Sequence, residues 1–135
     1  MADPTVLQAK RYGVFSCHYK DRLLDAAKRM ATEQISALVV VDDEGYLAGI
    51  ITRTDLVRAY KASPHTWTEE TVEHVMVKEV ITALPQDHLS HVADLLLENK
   101  IHRVVIVQDE NNLKRPVGVV SSTDLVYHMA KEHLG

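Results

Sequence analysis

Two stretches of the chain share one hydrophobic spacing. Leu23, Ala26, Ala27, Met30 and Ala31 fall at i, i+3, i+4, i+7 and i+8, and Leu89, Val92, Ala93, Leu96 and Leu97 do the same. That period gathers apolar side chains on one stripe, so both stretches read as amphipathic helices. Each is followed by a short β-branched run, Ala37 to Val41 and Arg103 to Val107, bounded by acidic turn residues as strands are. Asp42-Asp-Glu-Gly45 then reverses the chain into Leu47-Ala-Gly-Ile-Ile51, with Gly45 where a hairpin turn takes a positive φ. A last helix is predicted from about Thr54 to Ala62 in one stretch and from about Thr123 to Glu132 in the other. Between the stretches, Ala62 to Glu70 carries Pro64 among polar residues and reads as a linker.

The shared spacing is part of a longer internal repeat. At an offset of 66, Thr5-Val6 falls on Thr71-Val72, Val14 on Val80, and Asp21, Leu23, Ala27, Ile35, Val39 and Val41 on Asp87, Leu89, Ala93, Ile101, Val105 and Val107. Three extra residues in the second copy then move the offset to 69, and Gly49-Ile-Ile-Thr-Arg-Thr-Asp-Leu-Val57 matches Gly118-Val-Val-Ser-Ser-Thr-Asp-Leu-Val126. The insertion lies in the polar stretch Gln108 to Arg115, where a lengthened hairpin loop costs little. Each copy therefore reads as strand, helix, strand, strand, helix. The expected fold is α+β: residues 1–66 form the first repeat with an N-terminal segment and linker, and 67–135 the second. A unit of about sixty residues is near the lower size limit for folding alone. The two repeats are therefore expected to pair by pseudo-twofold symmetry, equivalent surfaces meeting at a cleft.

Composition narrows the class. The chain has 135 residues, 46% hydrophobic and 25% charged, with five Gly and four Pro, as a globular domain has and a disordered or collagen-like chain does not. Apolar runs such as Leu38 to Val41 fall far short of the roughly eighteen residues of a membrane span, so no membrane partner is expected. No basic segment followed by an apolar one opens the chain, so a cytoplasmic location is expected. The net charge is −4 and the cations are scattered, which argues against nucleic acid as a partner. One cysteine, Cys17, rules out an internal disulfide and the paired-cysteine zinc motifs and reads as a small apolar residue. His88 and His91 could share a helical face, but two ligands do not make a metal site and solvated surface histidines are the better reading. Neither a P-loop nor a spacing that forces a catalytic triad is present, so an enzyme is not expected.

The best-matched piece of the repeat is a strand-to-helix junction, Thr52-Arg-Thr-Asp55 in one copy and Ser121-Ser-Thr-Asp124 in the other. Two readings fit it. A hydroxyl with an acid three residues on is the pattern of a helix cap. A helix N-terminus with a hydroxyl is also a place for phosphate, and an adjacent acid can accept hydrogen bonds from ribose hydroxyls.

The double repeat, the pattern Gly-apolar-apolar-Thr/Ser-x-x-Asp and the preceding Ile-x-x-apolar-apolar-Val segments together resemble a tandem CBS-domain pair, or Bateman module, from about Val6 to Lys131. Lys100-Ile-His-Arg-Val-Val-Ile-Val107 is also similar to the His-Arg strand starts of adenylate-sensing members. The resemblance implies a regulatory module, not an enzyme, that binds an adenosine-containing ligand such as AMP, ADP, ATP or S-adenosylmethionine and signals to an unidentified regulated protein. Asp55 and Asp124 would bind ribose; Thr52, Arg53, Ser121 and Ser122 would line the phosphate side, with charge from His102 and Arg103. Adenine would sit near Ser16 and Cys17 in one pocket and Thr82 and Ala83 in the other, with Ile35, Ser36, Ala37 and Ile101 as walls. The family commonly forms homodimers through its helices, so a homodimer is expected. Two departures stand out. Tyr19 takes the place that Pro85 has in the second copy, and Ser36-Ala37 offers no cationic pair like His102-Arg103. Cations offset phosphate charge in a partly buried site, so two sites of unequal affinity are expected. The alternative is a ligand-free dimerisation or interaction scaffold.

Overall fold

The structure, a computed structural model, describes residues 3–9 and 14–132. The chain divides into two compact units, a contiguous one, Val14–Val80, and a split one made of Met1–Gly13 with Ile81–Gly135. In the contiguous unit β1 (Ser16–His18) is followed by α2 (Leu23–Glu33), β2 (Ala37–Val41), β3 (Leu47–Thr52) and α3 (Arg53–Ala62). The split unit holds α1 (Val6–Ala9), β4 (Thr82–Ala83), α4 (Leu89–Asn99), β5 (Arg103–Glu110), β6 (Leu113–Ser121) and α5 (Ser122–Glu132). Each unit has a three-stranded mixed sheet, in the order β1-β2-β3 or β4-β5-β6, the first pair parallel and the second antiparallel. The fold is α+β, and strand, helix, strand, strand, helix holds in both copies. The last helices start one residue earlier than the spacing predicts.

The apolar stripes do what their period implies. Leu23, Ala26 and Met30 of α2 are buried with Leu38, Val40 and Ile51, and Leu89, Val92 and Leu96 of α4 with Val104, Ile106 and Val120. Both helices end on a non-glycine residue in the left-handed region, Gln34 at φ 54° and Lys100 at φ 53°. Beyond each, Ile35 and Ile101 donate back to the carbonyls of Met30 and Leu96 at 3.2 and 3.1 Å, the bond that closes a helix C-terminus.

The segment leading into each sequence repeat completes the core of the other. Val72 is fully buried among the contiguous unit's core residues, and Val6 is buried in the split unit. Matched backbone bonds hold them: Val72 N–H to Asp21 O and Val6 N–H to Asp87 O, both 2.8 Å, and Glu73 N–H to Tyr19 O and Leu7 N–H to Pro85 O, both 2.9 Å. Repeat and compact unit are thus different divisions of the chain.

Two local expectations change, and the two first strands differ in length. The segment Ala62 to Glu70 is not a slack linker: it carries a 3₁₀ turn at Trp67–Glu69, and Trp67 packs on the contiguous core because its ring recovers apolar contact there. The three-residue insertion lengthens strands, not the loop. β5 and β6 pair as far as Glu110 with Leu113, and Asn111 and Asn112, at φ 51° and 67°, form a two-residue turn that asparagine tolerates. Finally, β4 is shorter than β1. Tyr19 N–H bonds the Val41 carbonyl at 3.1 Å, whereas Pro85, its counterpart, has no N–H to give Val107.

Candidate functional site

The two strand-to-helix corners have the same internal geometry. Thr52 is the N-cap of α3, and its N–H and hydroxyl both donate to Asp55 Oδ2, at 2.8 and 3.0 Å. Asp55 N–H returns a bond to the hydroxyl at 3.4 Å. In the split unit Ser121 N–H and Oγ donate to Asp124 Oδ2 at 2.8 and 3.0 Å, and Asp124 N–H donates to Ser121 Oγ at 3.1 Å. The cap reading of the junction is therefore correct in both copies.

The cap leaves chemistry unspent at Asp55. It is the only buried charged residue among the described residues, 7% exposed, and a buried carboxylate is costly unless its oxygens find donors or positive charge. Two donors and the positive end of α3 serve Oδ2. Oδ1 faces Arg58 Nη1 at 3.8 Å, beyond hydrogen-bond reach, and that guanidinium is 77% exposed. Arg58 lies one helical turn after the acid, a spacing present in the sequence but shared by many solvated surface cations.

The other candidate residues fall around the corner of their own unit. Ala37 lies opposite Thr52, and Arg103 opposite Ser121. The carbonyls just before those strands accept the first helical N–H: Arg53 N–H bonds Ser36 O at 3.0 Å and Ser122 N–H bonds His102 O at 2.9 Å. His102 is exposed and Arg103 half-buried. Ser16 and Thr82 lie further along the sheet, opposite Val39 and Val105. Cys17 and Ala83 are core residues, and Ile35 and Ile101 pack against the same cores. Burial pushes the Cys17 thiol up to about 11, reinforced by the Asp21 carboxylate and opposed by Arg29. Arg29 itself donates to the Ser16 carbonyl. The Arg53 side chain lines a groove of about 450 Å³ between α2 and α3, with Ile35, Leu56 and Val57.

Among the described residues no group of three or more His, Cys, Asp and Glu is placed to hold a metal ion. His88 Nδ1 instead donates to the Asp3 carbonyl at 2.7 Å. Among the described residues no helix is long and apolar enough to cross a membrane.

The duplication is matched in the comparison with known sequences: the family model described as "CBS domain" matches residues 9–62 and again 72–131. The chain belongs to the CBS-domain family. It is similar to L-aspartate semialdehyde sulfurtransferase of Methanocaldococcus jannaschii, 33% identical over 110 residues, and to the mitochondrial CBS domain-containing protein CBSX3 of Arabidopsis thaliana, 31% identical over 121 residues. Those matches cover 82% and 87% of this chain but 20% and 57% of the relatives, so the chain spans only part of the curated proteins it resembles. Among solved structures it is similar to the CBS domain pair of protein MJ0100, crystallised in complex with 5′-methylthioadenosine and S-adenosyl-L-methionine. The TM-score is 0.83 at 29% identity, covering 95% of this chain and 97% of that one. The putative acetoin utilization protein AcuB of Vibrio cholerae has the same fold, with TM-score 0.83 at 23% identity and 95% and 91% coverage. The CBS pair thus accounts for nearly all of this chain.

Proposed function

We propose that this CBS pair binds an adenosine-containing ligand, among AMP, ADP, ATP and S-adenosylmethionine, and signals its occupancy to a regulated protein. The observation that carries the reading is the Asp55 corner: a buried carboxylate with one oxygen spent on the helix cap and the other 3.8 Å from Arg58 Nη1, beyond hydrogen-bond reach. A ribose hydroxyl is a donor of the right kind for that oxygen. The adenosyl compounds bound by the MJ0100 pair support the same ligand class.

In this reading Asp55 and Asp124 hold ribose, while Thr52, Arg53, Ser121 and Ser122 with the helix N-termini serve the phosphate side. His102 and Arg103 add charge in one unit alone, so the two sites differ in affinity. Adenine meets backbone groups near Ser16 and Cys17 or Thr82 and Ala83, whose side chains at Cys17 and Ala83 belong to the cores. Ligand-driven signalling needs only different affinity for two arrangements of the protein. A cytoplasmic, homodimeric regulator without enzymatic activity of its own completes the proposal.

The scaffold reading has one observation in its favour: both caps are complete without a ligand. Calorimetry and thermal melts with each compound separate the two. At a hundred times Kd a ligand adds about 2.7 kcal/mol to stability, so one adenosyl compound should raise the melt. Asp55→Asn with Asp124→Asn should abolish binding while far-UV circular dichroism stays unchanged. If none of the four compounds binds or shifts the melt, the scaffold stands.

A further inference from the structure

We propose that Arg29 closes the adenine position beside Ser16 and Cys17, so that an adenosyl ligand fills the position beside Thr82 and Ala83 first. This rests on the adenosyl reading and adds to it the residue that sets the order of filling. β1 and β4 are the edge strands of their sheets on this side, each paired with one neighbour. Val39 N–H bonds the Phe15 carbonyl at 3.0 Å, and Val105 N–H bonds the Ile81 carbonyl at 3.2 Å. Successive peptide groups of a strand face opposite sides, so Ser16 and Thr82, the next residues along, turn their carbonyls and N–H groups to the unpaired edge. A carbonyl beside an N–H is the complement of adenine, whose amino group donates and whose ring nitrogens accept.

The two edges differ in what already holds the carbonyl. In the contiguous unit Arg29 of α2 donates from Nη1 to the Ser16 carbonyl. Its Nη2 donates to Glu33 Oε2 at 3.4 Å, so the guanidinium is tied on two sides, and its side chain is 37% exposed. The split unit has Leu95 where α2 has Arg29, and Asn99 where it has Glu33. Leu95 packs against the split core, and Asn99 turns its amide to the Leu95 carbonyl at 2.9 Å. The equivalent of the Arg29 bond is therefore not made, and the Thr82 carbonyl keeps its place at the edge for a ligand's donor.

An amino group brought to Ser16 meets a donor already in place. Either it displaces the guanidinium and breaks a charge-assisted bond, or it sets its own N–H against cationic N–H groups. Glu33 offsets the charge of Arg29, so the guanidinium is not free to repay that loss at a phosphate. At Thr82 the same amine meets an acceptor. An unmade or opposed hydrogen bond of this kind separates the two positions by about tenfold in Kd.

The test is isothermal titration of the full-length chain and of Arg29→Leu, the residue the second repeat has there, with AMP, ADP, ATP and S-adenosylmethionine in turn. For a compound that binds, the unsubstituted chain should take one equivalent about tenfold more tightly than any second, and Arg29→Leu should tighten the second equivalent by about tenfold without weakening the first. A variant that is merely damaged does not gain a site. The reverse exchange, Leu95→Arg, should weaken the tight equivalent by a similar factor; if far-UV circular dichroism shows that it has not folded, Arg29→Leu decides alone. Two equivalents of equal affinity on the unsubstituted chain, or a second equivalent that is unchanged or weaker in Arg29→Leu, overturns the role of Arg29 and leaves the adenosyl reading standing. No binding of any of the four compounds to either chain overturns both.

Discussion

Cys17 and Ala83 occupy the same position in the two repeats, and both are buried, 7% and 4% exposed. The difference between them is one ionisable thiol. Burial raises that thiol from 9.0 to about 11, so the folded chain resists the thiolate that the unfolded chain readily forms. The sign follows from linkage: the stability this group contributes is fully present below pH 9 and is lost as the pH climbs towards 11. Urea denaturation from pH 8 to pH 11 should therefore show a steeper fall for the unsubstituted chain than for Cys17→Ala, with the difference confined to the alkaline end. Parallel curves would mean that the thiol is solvated. At the same scale, the corner carboxylates show how one residue serves two ends. The oxygen that caps the helix fixes where the second oxygen points, so cap and candidate ligand contact are one feature of a single rotamer.

At the scale of elements, close approach between segments sets the tolerances. Gly49 of β3 lies under the arm that follows a second 3₁₀ turn of the contiguous unit, Val72–His74: an added Cβ would stand 2.7 Å from Met76 Sδ and 2.7 Å from the Val77 carbonyl. The thioether could swing away, but the carbonyl is held by the paired bonds between Ile50 and Val77, 2.8 and 3.0 Å. Gly49→Ala should therefore cost about 1–3 kcal/mol, as overpacking does, read as a lower urea midpoint with an unchanged slope. A neutral substitution would show that the arm is free to move. Elements with a strong period were legible in the sequence: both amphipathic helices, the β-branched strands and the corner motif lie where their spacing put them. What was not legible depended on long-range packing. No local signal showed that Trp67 would leave a polar segment for the core, or that the inserted residues would pair as strands. Asn111-Asn112, two residues that accept left-handed backbone, was the available clue to the turn. The corner acids were readable as a motif. Arg58 beside one of them carries no such motif, because a lone exposed cation on a helix reads as solvated surface.

At the scale of the whole molecule, the sequence repeat and the folded unit are out of step by a leader segment. A chain cut at the repeat boundary, residues 1–66, would lose Val72 from the contiguous core, along with Trp67, Val75 and Met76 packed around it. It would also lose the backbone bonds from Leu23 to Glu70, from Val72 to Asp21 and from Glu73 to Tyr19, each 2.8 to 2.9 Å. Burying one valine is worth about 1.5–3 kcal/mol, a large share of what a domain near the lower size limit has in reserve. Residues 14–80 keep every one of these contacts. We therefore expect a 14–80 fragment to unfold cooperatively in urea with dispersed amide resonances, and the 1–66 fragment of almost the same length to lack both. Adding a peptide of residues 67–80 to 1–66 should recover part of the dispersion, since the lost piece is a docking segment and not a covalent necessity. If 1–66 folded as well as 14–80, the exchanged leaders would be ornaments on two self-sufficient repeats, and the core assigned to Val72 would have to be closed by something else.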